Sequence, residues 1–188
     1  MEALKQKILT EGRVLPGNIL KVDSFLNHQM DPLLMQQIGQ AFASKFASCK
    51  ISRVITVEAS GIAPALMTGL ALRVPVVFAK KSISDEVDPE CYATTVFSYT
   101  KQINYTIRIN QSYLQPEDNI LIIDDFLANG RAVLGLAHLV RQAGATLAGV
   151  GIVIEKAFQE GGQKLRDLGI RVESLAVIKD MSNGIIFA

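Results

Sequence analysis

The sequence predicts an α/β fold, an open and largely parallel sheet flanked by helices, and three stretches predict it. Ile120–Ile123 is an unbroken apolar run of strand length, followed by Asp124 and Asp125, a short loop from Phe126 to Gly130, and a helical pattern from Arg131 to Gln142. Unbroken apolarity of that length suits a strand buried on both faces. Arg53–Glu58 repeats the arrangement, running into Ala59-Ser60-Gly61 and a helix over 62–72. Thr146–Ile154 is a long apolar strand that ends in Glu155-Lys156. Strand, turn and helix in that order make the βα unit of a parallel sheet, which binds ligands at the carboxyl ends of its strands.

The remaining elements follow in order. Glu2–Glu11 reads as a helix with Leu4, Ile8 and Leu9 on one face and Gly12 as its stop. Residues 13–30 are mixed, with a turn at Pro16-Gly17 and a short strand over 19–22. Asp31-Pro32 opens a helix, Asp as N-cap and Pro in the first position. Leu34, Ile38, Phe42 and Phe46 recur along it every four residues and face the core. A strand over 74–79 leads to Lys80 and Lys81. Residues 82–93 are polar, acidic and turn-rich, a loop whose length in a compact domain marks it as functional or disordered. Thr94–Tyr99 and Tyr105–Ile109 alternate apolar and polar residues and predict two antiparallel strands. The 131–142 helix turns Val133, Leu136, Ala137 and Val140 inward and stops at Gly144. A short helix over 161–168, a last strand over 172–178 at the sheet edge, and a Gly-containing tail that caps the site or the subunit complete the chain.

The 188 residues suit one domain with a sizeable core, spanning 1–188. Nineteen Lys and Arg against 18 acids leave a net charge of +1, so no electrostatic footprint for nucleic acid exists and any anion site must be local. Cys49 and Cys91 have no metal-ligand or CxxC spacing, which predicts reduced thiols and no zinc site. The first residues, MEALKQKILTEGR, are polar and charged without a secretory apolar core, and no apolar run approaches a membrane span. The expected setting is cytoplasmic, with no membrane partner. No GxGxxG follows a strand, which argues against a dinucleotide-binding oxidoreductase.

The chemistry concentrates at the strand ends. Ionised carboxylates there cost several kcal/mol if dry and unpaired, so Asp124 and Asp125 need water, hydroxyl donors or a cation. The loop beyond them is small, so its backbone N–H groups can close on an anion at a helix N-terminus. Carboxylates for sugar hydroxyls or a metal, beside an anion-binding loop, fit a ribose phosphate. Taken alone, Glu58-Ala59-Ser60-Gly61 is a weak signal, and Lys80-Lys81 reads equally well as a solvated pair.

The stretch ILIIDDFLANGRA resembles the phosphoribosyl-diphosphate (PRPP) motif of type I phosphoribosyltransferases, in which a hydrophobic strand runs into two acids and a small phosphate loop. Similarity to the purine branch of that family extends across nearly the whole chain. The resemblance implies a small N-terminal hood over residues 12–30, a core over 31–180, and an antiparallel flexible-loop hairpin that closes over the reacting centre. It implies transfer of a 5-phosphoribosyl group from PRPP to a 6-oxopurine, xanthine before guanine or hypoxanthine, with release of pyrophosphate. Asp124 and Asp125 would hold the ribose hydroxyls. Ala128, Asn129, Gly130, Arg131 and Ala132 would bind the 5′-phosphate. Glu58, Ser60, Gly61, Lys80 and Lys81 would meet the diphosphate. Leu20, Asn27, Phe126 and Lys156 would form the purine site. Mg²⁺ would enter with PRPP, without tight protein ligands. A homodimer is expected, as is inhibition by purine nucleotides such as guanosine monophosphate (GMP) or guanosine 3′,5′-bis(diphosphate). The loop departs from the commoner pattern, since Ala128-Asn129-Gly130-Arg131-Ala132 lacks the usual hydroxyls. Position 128, an acid in some 6-oxopurine enzymes, is alanine here. A non-enzymatic purine sensor on the same domain is the alternative, but such relatives carry a DNA-binding domain for which residues 1–30 leave no room.

Overall fold

A computed structural model describes residues 1–82, 88–98 and 103–188. In chain order the elements are α1 (Glu2–Glu11), β1 (Arg13–Leu15), β2 (Ile19–Lys21), a π-helical turn (Asp23–Asn27), α2 (Pro32–Lys45), β3 (Arg53–Val57), α3 (Ile62–Leu72), β4 (Val76–Ser82), β5 (Cys91–Ser98) and β6 (Ile103–Asn110). A 3₁₀ turn (Gln111–Tyr113), β7 (Asn119–Leu127), α4 (Arg131–Gln142), β8 (Thr146–Lys156), α5 (Gly161–Asp167), β9 (Val172–Asp180) and β10 (Ile186–Phe187) follow. β1 and β2 pair as a small hairpin, and the other eight strands form one sheet in the order β10-β9-β8-β7-β3-β4-β6-β5. The strands from β9 to β4 run parallel; β10 at one edge and the β5–β6 hairpin at the other are antiparallel.

β7 shows why unbroken apolarity was needed. Leu121 and Ile123 enter the core beneath α1, α2 and the hood, while Ile120 and Ile122 enter the core beneath α4. Period-two alternation feeds both faces, so every residue of the run is apolar. α2 starts as its sequence dictates, with Asp31 Oδ1 accepting from the amides of Leu33 and Leu34, both at 3.1 Å.

Three expectations change. β9 is not the edge: the tail returns as β10 and pairs with it, Phe187 packs against the core, and Lys5 of α1 donates to the Ala188 carbonyl at 3.2 Å and sits 5.3 Å above the Phe187 ring. Cys91–Ala93 belong to β5 rather than to a loop, paired with Asn110, Ile109 and Arg108. Of the 82–93 loop, residues 83–87 lie outside the described residues. β4 starts at Val76 and continues through Lys80, Lys81 and Ser82, so the lysines lie within a strand that pairs antiparallel with β6.

Candidate active site

The adjacent carboxyl ends of β3, β7 and β8 make one rim. β7 continues as a strand four residues beyond its apolar run, through Leu127, and so carries Asp124 and Asp125 into the rim at 5% and 8% exposure. Burial, and next the charge of Asp125, push the Asp124 carboxyl well above the ordinary aspartate range. A hydrogen bond shared with the Asp125 carboxyl pushes the same way; the Asp125 amide, 3.0 Å from Asp124 Oδ1, and the Lys81 charge oppose it. Burial and the neighbouring carboxylate therefore favour a proton on Asp124.

Beyond the acids, Gly130 adopts φ +74°, a left-handed value natural for glycine, and begins α4 without any side-chain cap. The first amides of α4 are thus available to an anion. They line a cleft of about 170 Å³ with Asp124, Phe126, Ala128, Asn129, Arg131 and Ala132. The loop is braced by α5: the Gly161 amide donates to the Ala128 carbonyl at 3.0 Å, and a Cβ on Gly161 would stand 2.3 Å from that oxygen. Gly161 was not singled out by the sequence, since a Gly-Gly pair before a short helix reads as ordinary turn chemistry.

The end of β3 approaches the acids from the other side. The turn after Val57 contains a cis peptide between Glu58 and Ala59. A Cβ on Gly61 would meet Thr56 Oγ1 at 2.2 Å and Asp124 Oδ1 at 3.1 Å, so glycine alone lets this turn reach the acid. Thr56 is fully buried and its hydroxyl has no partner among the described residues. Glu58 Oε1 accepts from the Lys81 amide at 2.6 Å, which ties the β3 turn to β4. Lys81 lies 5.4 Å above the Tyr105 ring, and the Tyr105 hydroxyl is pushed up by burial and then by the Asp124 charge. Lys81, Tyr105 and Asp124 therefore share one neighbourhood, together with Ser60 and Gly61. Lys80, on the opposite face of the strand, lines another groove with Phe78, Asp88 and Arg108 and is not brought to the acid pair.

On β8, Lys156 is half-buried, and burial pulls its ammonium below the ordinary lysine value. Its Nζ lies 5.5 Å from the centroid of the Phe126 ring and donates to the Asn18 carbonyl at 2.9 Å. That bond brings the β1–β2 hairpin to the rim. Asn27 ends the π-helical turn and is exposed, whereas the Leu20 side chain is buried in the core that holds Phe25 and Leu26. Beneath Lys156, Glu155 is 3% exposed and takes both Arg166 nitrogens, at 2.7 and 2.8 Å, together with the Ser174 hydroxyl. Burial pushes its carboxyl up, but Arg166 and Ser174 bring it below the ordinary value. These partners come from α5 and β9, and no local motif announced them.

The donors at the rim are carboxylate oxygens, the ligands Mg²⁺ prefers. Among the described residues no cluster of three or more His, Cys, Asp or Glu gathers at metal spacing. By donor chemistry alone, Asp124 and Asp125 fit Mg²⁺.

No family model matches the sequence. Curated proteins do. Xanthine phosphoribosyltransferase of Oceanobacillus iheyensis is 54% identical over 186 residues, covering 99% of this chain and 96% of that protein. Its namesake from Bacillus thuringiensis is 54% identical over 186 residues, covering 99% and 94%. Among solved structures, adenine phosphoribosyltransferase of Saccharomyces cerevisiae, crystallised with an imino-altritol bisphosphate and adenine, superposes with a TM-score of 0.74 at 23% identity over 93% of this chain and 99% of that one. The enzyme of Rhodothermus marinus gives 0.75 at 22% identity over 94% and 97%. At that identity the structures speak for the fold.

Proposed function

The chain belongs to the xanthine phosphoribosyltransferase family, and from that premise we propose how its site works. The enzyme transfers the 5-phosphoribosyl group of PRPP to xanthine, giving xanthosine 5′-monophosphate and pyrophosphate, a purine-salvage reaction. The observation that carries the site assignment is the buried acid pair, set between an uncapped helix N-terminus and Lys156 on the neighbouring strand.

The C1–O bond to diphosphate breaks early, leaving oxocarbenium character on the ribose, and N9 of the base closes on C1. Catalysis is then mostly positioning and electrostatics. Asp124 and Asp125 hold the ribose hydroxyls and lend negative potential to the cationic sugar. The 128–132 loop binds the 5′-phosphate through backbone amides, with Asn129 and Arg131 standing in for the absent hydroxyls. The Ser60–Gly61 turn and Lys81 receive the leaving diphosphate, and Glu58 positions Lys81 through its amide. Mg²⁺, when bound, neutralises that leaving group. Phe126 packs on the purine, and Lys156, released from the Asn18 carbonyl, donates to the 6-oxo oxygen. Its charge favours a purine anion, and xanthine ionises most readily among the 6-oxopurines. Asn27 donates to the 2-oxo oxygen.

The reading includes a cytoplasmic homodimer. Leu66 and Leu70 on α3 and Phe78 on β4 are exposed at 53%, 67% and 40%, the kind of apolar surface a second subunit covers. Light scattering at working concentration should give twice the chain mass; a monomer mass removes the dimer. GMP and guanosine 3′,5′-bis(diphosphate) should compete with PRPP. The activity is tested by pyrophosphate release with PRPP, Mg²⁺ and a panel of bases. Xanthine should lead and adenine should be rejected, because a 6-amino group sets donors against the Lys156 donor. Release with no base overturns the reading, and a lead for guanine or hypoxanthine overturns the base assignment.

A further inference from the structure

Two consecutive glycines open α5, and a different part of the molecule presses on each. A Cβ on Gly161 would stand 2.3 Å from the Ala128 carbonyl oxygen and 2.6 Å from the Gly130 amide nitrogen, so the phosphate loop rests directly on α5 backbone. A Cβ on Gly162 would stand 2.0 Å from Glu155 Oε1 and 2.7 Å from an Arg166 guanidinium nitrogen. The buried Glu155 carboxylate therefore lies against the same turn of helix that carries the loop. It takes Arg166 of α5 through both oxygens, at 2.7 and 2.8 Å, while the Ser174 hydroxyl of β9 donates to it from the sheet. In the sheet Glu155 stands in register with Leu127, the residue before the loop. α5 has seven residues and no side-chain cap, and Leu165 is the side chain it buries. A helix so short does not hold its place by its own hydrogen bonds. The ion pair fixes it to β8, yet neither Glu155 nor Arg166 lines the phosphate cleft.

We propose that the Glu155–Arg166 ion pair positions the 5′-phosphate without touching it: by fixing α5, it holds the 128–132 loop in its anion-binding shape. The inference rests on the reading of that loop given above. Ala128 and Ala132 carry no hydroxyls, so the phosphate depends on backbone amides, and the loop's own conformation sets where those amides point. A loop that must find this shape on binding loses affinity to the cost of ordering it. The Gly161 amide, donating to the Ala128 carbonyl at 3.0 Å, fixes the shape beforehand, and the ion pair keeps Gly161 in place. Arginine suits the task because its planar fork meets both carboxylate oxygens at once, which a lysine ammonium does not. Burial opposes the charge on Glu155, but Arg166 and Ser174 keep its carboxyl below the ordinary value, so the pair stays ionised at neutral pH.

The test uses two probes that compete with PRPP, ribose 5-phosphate and inorganic pyrophosphate, with free Mg²⁺ held constant. Ribose 5-phosphate needs the 128–132 loop; pyrophosphate needs the Ser60–Gly61 turn and Lys81 instead. In Arg166→Gln the inhibition constant for ribose 5-phosphate should rise about tenfold, the scale of a misplaced contact, while that for pyrophosphate stays unchanged. The KM for PRPP should rise with the first constant, and kcat at saturating PRPP should hold. Arg166→Lys, which keeps the charge but not the fork, should show a smaller rise in the same constant. Gly161→Ala disturbs the brace directly and should give the same selective loss, with little added by Arg166→Gln, because both act through one contact. Should Arg166→Gln fail to fold, Arg166→Lys and Gly161→Ala give the same reading. The proposal is overturned if folded Arg166 variants bind ribose 5-phosphate as wild type does. It is equally overturned if pyrophosphate weakens in step with ribose 5-phosphate, the result of a general loosening of the fold. Wild-type enzyme that releases no pyrophosphate from PRPP and xanthine would overturn the functional reading instead, a separate outcome from either of these.

Discussion

Asp118 immediately precedes β7 and Asp124 lies toward its carboxyl end; both are little exposed, at 7% and 5%, and their carboxyls are driven in opposite directions. At the amino end, burial pushes Asp118 up, yet the Gln115 amide at 2.9 Å, the Ser52 hydroxyl at 2.7 Å and Arg53 Nε at 2.9 Å together hold it below the ordinary value. Toward the carboxyl end, Asp124 has one amide and the Lys81 charge in its favour and a second carboxylate against it. Burial raises both carboxyls; at Asp118 the partners together outweigh it, and at Asp124 they do not. At one end the partners complete the carboxylate; at the other they leave burial and a second carboxylate uncompensated. Glu155 shows that the carboxyl rim is not uniformly open, for Arg166 and Ser174 complete it as fully as Asp118 is completed.

The largest effect should come from emptying the open end. Asp124→Asn with Asp125→Asn should lower kcat/KM by about 10³-fold or more, the scale of electrostatic stabilisation in such sites, with the melting temperature held or raised. Near-normal turnover in the folded double variant would remove the acid pair from the site. Next is Lys156→Ala, which should raise the KM for xanthine about tenfold or more through loss of a charged hydrogen bond; Asn27→Ala should narrow the preference for xanthine over hypoxanthine by a smaller factor. Steady-state kinetics on both bases decides it. If both variants keep wild-type kcat/KM for every base, the purine pocket lies elsewhere on the rim.

The closed end should behave in reverse. Asp118→Ala removes three partners' acceptor and leaves Arg53 facing a poorly solvated gap. The expected loss is about 2–3 kcal/mol, or roughly 4–12 °C in Tm for a chain of this size, with turnover per folded molecule unchanged. A variant with wild-type Tm and impaired turnover would erase the distinction between the two ends.

How much of this was legible depended on how local each cause was. β7 could be read because each of its residues must be apolar for its own reason, and the acids and loop follow it directly in sequence. The 131–142 helix and its glycine start were likewise local. Lys81 could be found as a strand-end cation, but its separation from Lys80 required the register with β6, which no local pattern carries. β10 meets Lys5, which is 183 residues from its carbonyl partner. Gly161 and Thr56 matter only because another backbone or carboxylate arrives beside them. The Asn18 carbonyl is invisible by type, since every residue has one. Sequence pattern therefore located the acid pair on β7, while the partners that close Asp118 and Glu155 lie largely outside their local motifs.

The smallest effect is the most direct test of the contrast. Asp124 in the folded protein holds its proton more tightly than in the unfolded chain, so folding binds protons wherever pH lies between the ordinary value of 3.8 and the raised one. Stability from this group is complete below the ordinary value and is lost as pH rises through the raised value. Asp118 has the opposite sign: its contribution is present above the ordinary value and is lost as pH falls through the depressed one. Asp124→Asn keeps an oxygen for the Asp125 amide and removes the buried charge. It should therefore be the more stable protein at pH 7–8, by about 1 kcal/mol or 2–4 °C, and the advantage should vanish near pH 4, where wild-type Asp124 is itself neutral. Asp118→Asn should lose stability at pH 7–8 and converge on wild type only in acid. Adding PRPP with Mg²⁺ should raise the Tm of wild type more than that of Asp124→Asn, because the ligand supplies the partners that the carboxylate lacks. Thermal melts of the three proteins from pH 4 to 8, with and without PRPP, read all of these at once. If Asp124→Asn were as destabilised at pH 7.5 as Asp118→Asn, the carboxyl end of β7 would be as satisfied as the amino end, and the acid pair would lose its claim to be waiting for a substrate.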